Sequence, residues 1–123
     1  MTNTNEDIIK QFLAAWSNLD ANELTDYFTD DGIYHNIPTS ATEGKENVRA
    51  QIEGICERWT RTSWDLVSIA SSGDLVIAER VDRTEVGEKK VDLPCTGVFE
   101  MENGKIKVWR DYFDLNTFRK AME

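Results

Sequence analysis

Charged residues stand inside two segments that otherwise carry the apolar, β-branched pattern of buried strands: Glu79-Arg80-Val81-Asp82 and Trp109-Arg110-Asp111-Tyr112. Burying a carboxylate or a guanidinium costs several kcal/mol unless it is paired and hydrogen-bonded, so such groups are placed there mostly where chemistry requires them. Alternate residues of a strand share a face, so Arg80 and Asp82 point together, and Asp111 points with the rings of Trp109 and Phe113. If Arg80, Asp82 and Asp111 meet, one cation bridges two carboxylates. That arrangement can hold one carboxylate ionised while the other keeps its proton, which separates a base from an acid. By the same alternation Arg110 faces away from Asp111. A solvated ion pair worth under ~1 kcal/mol is the commoner role for residues like Arg80 and Asp82, and periodicity does not say which face is inward. The apolar neighbours of Asp111 weigh toward burial.

Tyr34 and Asn36, two apart, face the same way and offer a hydroxyl and a carboxamide that could orient a water or a substrate oxygen. A packed tyrosine beside an asparagine that closes a turn before Pro38 explains them as simply. His35 lies between them on the opposite face. As the sole histidine, with no close carboxylate or Cys spacing to supply further ligands, it reads as a structural or surface residue, and no metal site is expected. Glycine-rich phosphate loops and serine elbows are absent, so no cofactor is expected. Cys56 and Cys95 both sit in apolar patterns and are expected to be buried free thiols. Glu57-Arg58 reads as a solvated helix face, and Asp30-Asp31-Gly32 as a turn.

These residues need elements to hold them. Ile8, Ile9, Phe12, Leu13 and Trp16 recur at helical spacing behind a Thr4/Asp7 capping box, predicting a helix near 5–17. Asp20 caps a second short helix through Phe28, ended at Thr29-Asp30-Asp31-Gly32. A short strand, 33–37, stops at Pro38, and a loop runs to Gly44. Val48, Ile52, Ile55, Cys56 and Trp59 mark a third helix. Downstream, 64–70, 75–84, 91–101 and 106–113 read as strands joined by hairpins, with a last helical stretch through Phe118 to Met122. Helices followed by meandering strands predict an α+β fold: a curved antiparallel or mixed sheet wrapped around the N-terminal helices, leaving a conical pocket. Inward positions make Trp64, Leu93, Cys95, Phe99, Trp109 and Phe113 candidate pocket walls.

With 123 residues the chain is expected to be one domain. A net charge of −9 argues against nucleic acid and for a neutral or cationic ligand. No apolar run approaches the ~20 residues of a membrane span, and the first residues lack a signal pattern, so a soluble, cytoplasmic protein is expected.

Tyr34-His35-Asn36-Ile37-Pro38, Glu79-Arg80-Val81-Asp82, Leu93-Pro94 followed by Gly97-Val98-Phe99-Glu100, and Trp109-Arg110-Asp111-Tyr112-Phe113-Asp114 together resemble the limonene-1,2-epoxide hydrolase family. The resemblance implies a nuclear transport factor two-like cone with a deep apolar pocket, in which Tyr34, Asn36 and Asp111 hold a water. It further implies Asp111 as general base, Asp82 as general acid, Arg80 between them, and a homodimer acting on a small hydrophobic epoxide and water. The best-known type of family member carries a longer N-terminal segment that helps cover the pocket, so a different substrate range is expected here. The same fold hosts other functions, which leaves a ketosteroid isomerase-like enzyme and a non-catalytic apolar-ligand-binding domain as alternatives.

Overall fold

The computed structural model describes residues 4–123. Helix α1 (Asn5–Ala15) opens with the expected capping box, Thr4 Oγ1 accepting from the Asp7 amide while the Thr4 amide donates to the Asp7 carboxylate. A 3₁₀ turn (Trp16–Asn18) and α2 (Ala21–Thr25), capped by Asp20, follow. The strands are β1 (Phe28–Asn36), β2 (Ala41–Glu43), β3 (Arg61–Ser72), β4 (Leu75–Val86), β5 (Lys89–Glu102) and β6 (Lys105–Tyr112). Helix α3 (Lys45–Arg58) sits between β2 and β3, and α4 (Leu115–Ala121) closes the chain.

The six strands form one mixed sheet in the order β2-β1-β6-β5-β4-β3. Strands β3 to β6 are the expected meander. At its β5–β6 tip Asn103 and Gly104 both have positive φ (51° and 77°), the backbone that a tight Asn-Gly hairpin turn requires. The first strand is the departure: β1 runs parallel to β6, with Tyr34 opposite Trp109 and Asn36 opposite Asp111.

Several segment boundaries differ from expectation, most of all around the first strand. The second helix ends at Thr25, and Thr29–Gly32, expected to be a turn, belongs to β1. Phe28 is buried and pairs with Ile106, and the register shifts between Phe28 and Ile33, so the exposed Asp30 and Asp31 are taken up as an irregularity within the strand. The expected loop before Gly44 also contains β2, which pairs with β1 from Ile33 to His35.

The helices cover the concave face of the sheet. Ile9, Phe12 and Trp16 from the N-terminal helical segment, Val48 and Ile52 from α3, and Phe99, Ile106 and Trp109 from the sheet are all fully buried. Phe12 meets the rings of Trp16, Phe28, Phe99 and Trp109 edge-on at 5.1–6.2 Å between centroids. Cys95 is buried as expected, whereas Cys56 is only half-buried because it lies at the border of the α3 stripe; both thiols are free. No helix is long and apolar enough to cross a membrane.

Candidate active site

Alternation puts Val76, Ala78, Arg80, Asp82 and Thr84 of β4 on the concave face, all of them buried, while Leu75 and Ile77 are exposed on the other side. Arg80 is 1% exposed, and Asp82 and Asp111 are 4% each. Arg80 Nε donates to Asp82 Oδ1 at 2.8 Å and Nη2 donates to Asp82 Oδ2 at 3.1 Å. Toward β6, Nη1 donates to Asp111 Oδ1 at 2.7 Å and Nη2 to Asp111 Oδ2 at 2.6 Å. One planar guanidinium thus grips both carboxylates by both oxygens.

Strand β5 lies between β4 and β6, so Arg80 has to cross it. Residue 97 makes that possible: Gly97 pairs with Ala78 on one side and Asp111 on the other. A Cβ at Gly97 would stand 3.1 Å from Arg80 Nη1 and 2.8 Å from a Phe99 ring carbon. The face of the guanidinium is covered by Trp64, whose ring centroid is 4.2 Å away, and Trp64 is itself stacked on Trp16 at 4.5 Å. Trp64 Nε1 donates to Thr62 Oγ1 at 2.9 Å, and Thr62 and Thr84 share a hydroxyl contact at 2.8 Å, which fixes that ring.

A single cation between two buried carboxylates leaves a net negative charge when both are ionised, and one proton removes it. Asp82 is the residue raised, to about 6, because burial penalises its charged form more than Arg80 offsets that penalty. Arg80 is lowered by burial but raised well above the usual guanidinium range by Asp111 and Asp82, so it stays charged. Asp111 faces a third donor, Trp109 Nε1, at 3.2 Å. Asp82 faces the buried Cys95 thiol, Sγ to Oδ2 at 3.5 Å, and burial pushes that thiol far up from its ordinary range. Burial, then the nearby Asp111, likewise raises the Tyr34 hydroxyl strongly, keeping it a neutral donor.

Asp82, Cys95 and Asp111 lie close enough to one another to suggest a metal cluster. Arg80, however, already occupies both oxygens of each carboxylate, and a second cation beside it would meet a full positive charge.

Tyr34, Asn36, Asp82 and Asp111 all border one cavity of about 470 Å³, together with the expected walls Trp64, Leu93, Cys95 and Phe113. Two expected walls are not there. Phe99 and Trp109 are fully buried beneath the site, where Trp109 stacks on Tyr34 at 4.3 Å and on Phe99 at 5.5 Å. Their inward orientation was legible, but the helices fill the narrow end of the cone above them. Trp109 instead touches Asp111 through its indole N–H. His35 stands on the opposite face, its ring Nε2 donating to the Thr39 carbonyl at 3.0 Å. Arg110 is paired with Glu100 outside.

The far wall was missed. Gln51, Ile55 and Arg58 of α3, then Trp59, and Leu115 and Phe118 of the C-terminal segment complete the cavity. Arg58, expected on a solvated face, is exposed yet borders the cavity. The i, i+4, i+7 spacing of 51, 55 and 58 was the available signal, hidden beside the stronger apolar stripe.

The model for the limonene-1,2-epoxide hydrolase catalytic domain matches residues 3–123. The chain belongs to the limonene-1,2-epoxide hydrolase family. It is 29% identical to epoxide hydrolase EphG of Mycobacterium tuberculosis over 114 residues, 93% of this chain and 76% of that one. Among solved structures it resembles an LEH-like epoxide hydrolase of M. tuberculosis, with a TM-score of 0.83 and 28% identity over 95% of this chain and 87% of that one. A SnoaL-like polyketide cyclase from Shewanella putrefaciens, described as putative, shares the α+β cone at 13% identity, with a TM-score of 0.85 over 98% of this chain and 86% of that one. That last likeness concerns the fold alone.

Proposed function

We propose that this member of the family is a cofactor-independent epoxide hydrolase that adds water in one step to a small hydrophobic epoxide, of limonene oxide or cyclohexene oxide type, giving a vicinal diol. The observation that carries the reading is Arg80 gripping two carboxylates at the floor of an apolar cavity, with Asp82 raised to about 6. Tyr34, Asn36 and Asp111, aligned by the parallel β1–β6 register, hold a water. Asp111 takes a proton from that water as its oxygen bonds to a ring carbon. The carbon–oxygen bond breaks, and protonated Asp82 gives its proton to the departing oxygen, so no alkoxide is released into an apolar site. Asp111 ends protonated and Asp82 ionised, and one proton passed through the shared Arg80 environment or solvent restores the starting state.

An isomerase of the ketosteroid type would use one Asp as base and a Tyr with a protonated carboxyl as oxyanion donor, and conversion of an unsaturated ketone without water incorporation would favour it. A homodimer is part of the same proposal. Ile77, Val67 and Tyr112 are 43%, 59% and 44% exposed, and Ile77 and Tyr112 lie on the outer face of the sheet, a surface suited to a second copy.

The test is diol formation from limonene oxide and cyclohexene oxide between pH 6 and 9, with ¹⁸O incorporated from labelled water. Asp111→Asn should lower the rate by about 10²–10⁴-fold while the fold persists. No diol at any pH, or undiminished turnover in Asp111→Asn, would remove the reading.

A further inference from the structure

The geometry points to a site for an anionic substituent of the substrate at the cavity mouth, so that the epoxides preferred here are apolar molecules carrying a carboxylate. This rests on the hydrolase reading for what is turned over, but not for what is bound. Arg58 borders the main cavity and also a second one of about 290 Å³, which shares Trp59 and Phe118 with it and adds Lys89. Arg58 therefore stands where the two join.

Its position in the last turn of α3 suits the negative end of the helix dipole, and that alone would explain an arginine pointing anywhere outward. The neighbouring glycine indicates a more specific seat. Gly54 lies inside α3, where glycine costs about 1 kcal/mol relative to alanine. Outside the backbone of its own helix and its chain neighbours, the atom a Cβ there would approach within 4 Å is Arg58 Nη1, at 3.3 Å. The missing side chain lets the guanidinium fold back along the helix against the cavity wall.

The cation is also available. Arg49, Arg80, Arg83 and Arg110 each have a carboxylate partner; Arg58, like Arg61 and Arg119, has none among the described residues, but of these three it alone borders the cavities. Among the described residues, Lys89 donates to the Met122 carbonyl alone. The acidic residues bordering either cavity are Asp82 and Asp111, and both are committed to Arg80. The cavity is thus ionic at its floor, apolar along Trp59, Trp64 and Phe118, and cationic at its mouth. The net charge of −9 suggests a neutral or cationic ligand. Exposed charges are screened beyond a Debye length of about 8 Å at physiological ionic strength, so the cations bordering the mouth weigh more there than the net charge of the whole chain.

Binding and turnover test this separately. Quenching of Trp59 and Trp64 fluorescence would report binding of unreactive cyclohexanecarboxylate against its methyl ester. The wild type should prefer the acid, Arg58→Gln should cut the acid-to-ester ratio about tenfold, and Arg58→Lys should keep most of it. Gly54→Ala, which crowds the guanidinium, should give an intermediate ratio. With 3,4-epoxycyclohexanecarboxylate and its methyl ester, the same ratio should appear in kcat/KM and be carried by KM. A ratio unchanged by Arg58→Gln, or an ester bound more tightly than the acid by the wild type, would overturn the proposal. Carboxylate binding through Arg58 with no diol from these two epoxides, limonene oxide or cyclohexene oxide would support the anion site and sink the hydrolase reading instead.

Discussion

Burial sets the behaviour of the Asp82 carboxyl more than its partner Arg80 does. Asp82 is raised from 3.8 to about 6, burial being the chief cause, so in the free protein it holds its proton below that value. If Asp82 is the acid, kcat/KM falls about tenfold per pH unit above pH ~6, since that ratio reports the free enzyme. A profile flat from pH 5 to 8 would contradict the assignment. The same shift bears on stability. Between pH ~4 and ~6 the native state holds a proton that the unfolded chain has released, so stability falls as pH rises through that window, by about 3 kcal/mol. Asp82→Asn cannot titrate there. Urea midpoints measured from pH 4 to 7 should therefore decline for the wild type relative to this variant and level off above pH ~6.

At the level of elements, the site depends on a strand that contributes no charge to it. Strand β5 separates Arg80 from Asp111, and Gly97 is the gap through which the guanidinium passes. Gly97→Ala should displace either Phe99 or Arg80, costing about 1–3 kcal/mol by overpacking and lowering kcat at least tenfold, as measured by urea unfolding and diol formation. A variant with normal kcat would mean that the guanidinium can reach Asp111 by another path. Gly97 could be quoted from sequence as part of a motif. Its purpose appears only when Ala78, Gly97 and Asp111 are seen side by side across three strands.

Over the whole molecule, the aromatic core and the site share one framework. Phe12 packs edge-on against Trp109 at 5.1 Å, and Trp109 stacks on Tyr34 and donates to Asp111. Phe12→Ala should cost about 3–5 kcal/mol and also reduce kcat at temperatures where the protein remains folded. Full activity alongside that loss of stability would show that core and site are uncoupled. The outer sheet face belongs to this scale as well. Ile77→Glu should convert a species of twice 14.1 kDa into one of 14.1 kDa in sedimentation analysis, and a wild type that sediments as a monomer would end the dimer proposal.

Alternation was enough to put Arg80 with Asp82, Asp111 with Trp109, and Arg110 outside, because a strand repeats every two residues whatever surrounds it. The helical stripes, the capping box and the hairpins were legible for the same reason: each is set by neighbours within a few positions. The parallel β1–β6 pairing, the irregularity within β1 at Thr29–Gly32 and the burial of Phe99 and Trp109 below the cavity were not. Nor was the far wall built by Gln51, Arg58 and Phe118. These depend on which distant segments come to lie together and how far the helices fill the cone, and no local pattern encodes that. Sequence alone determined which charged groups could share a face; tertiary packing decided that the face is inward, that Arg80 reaches across β5, and that burial raises the Asp82 carboxyl.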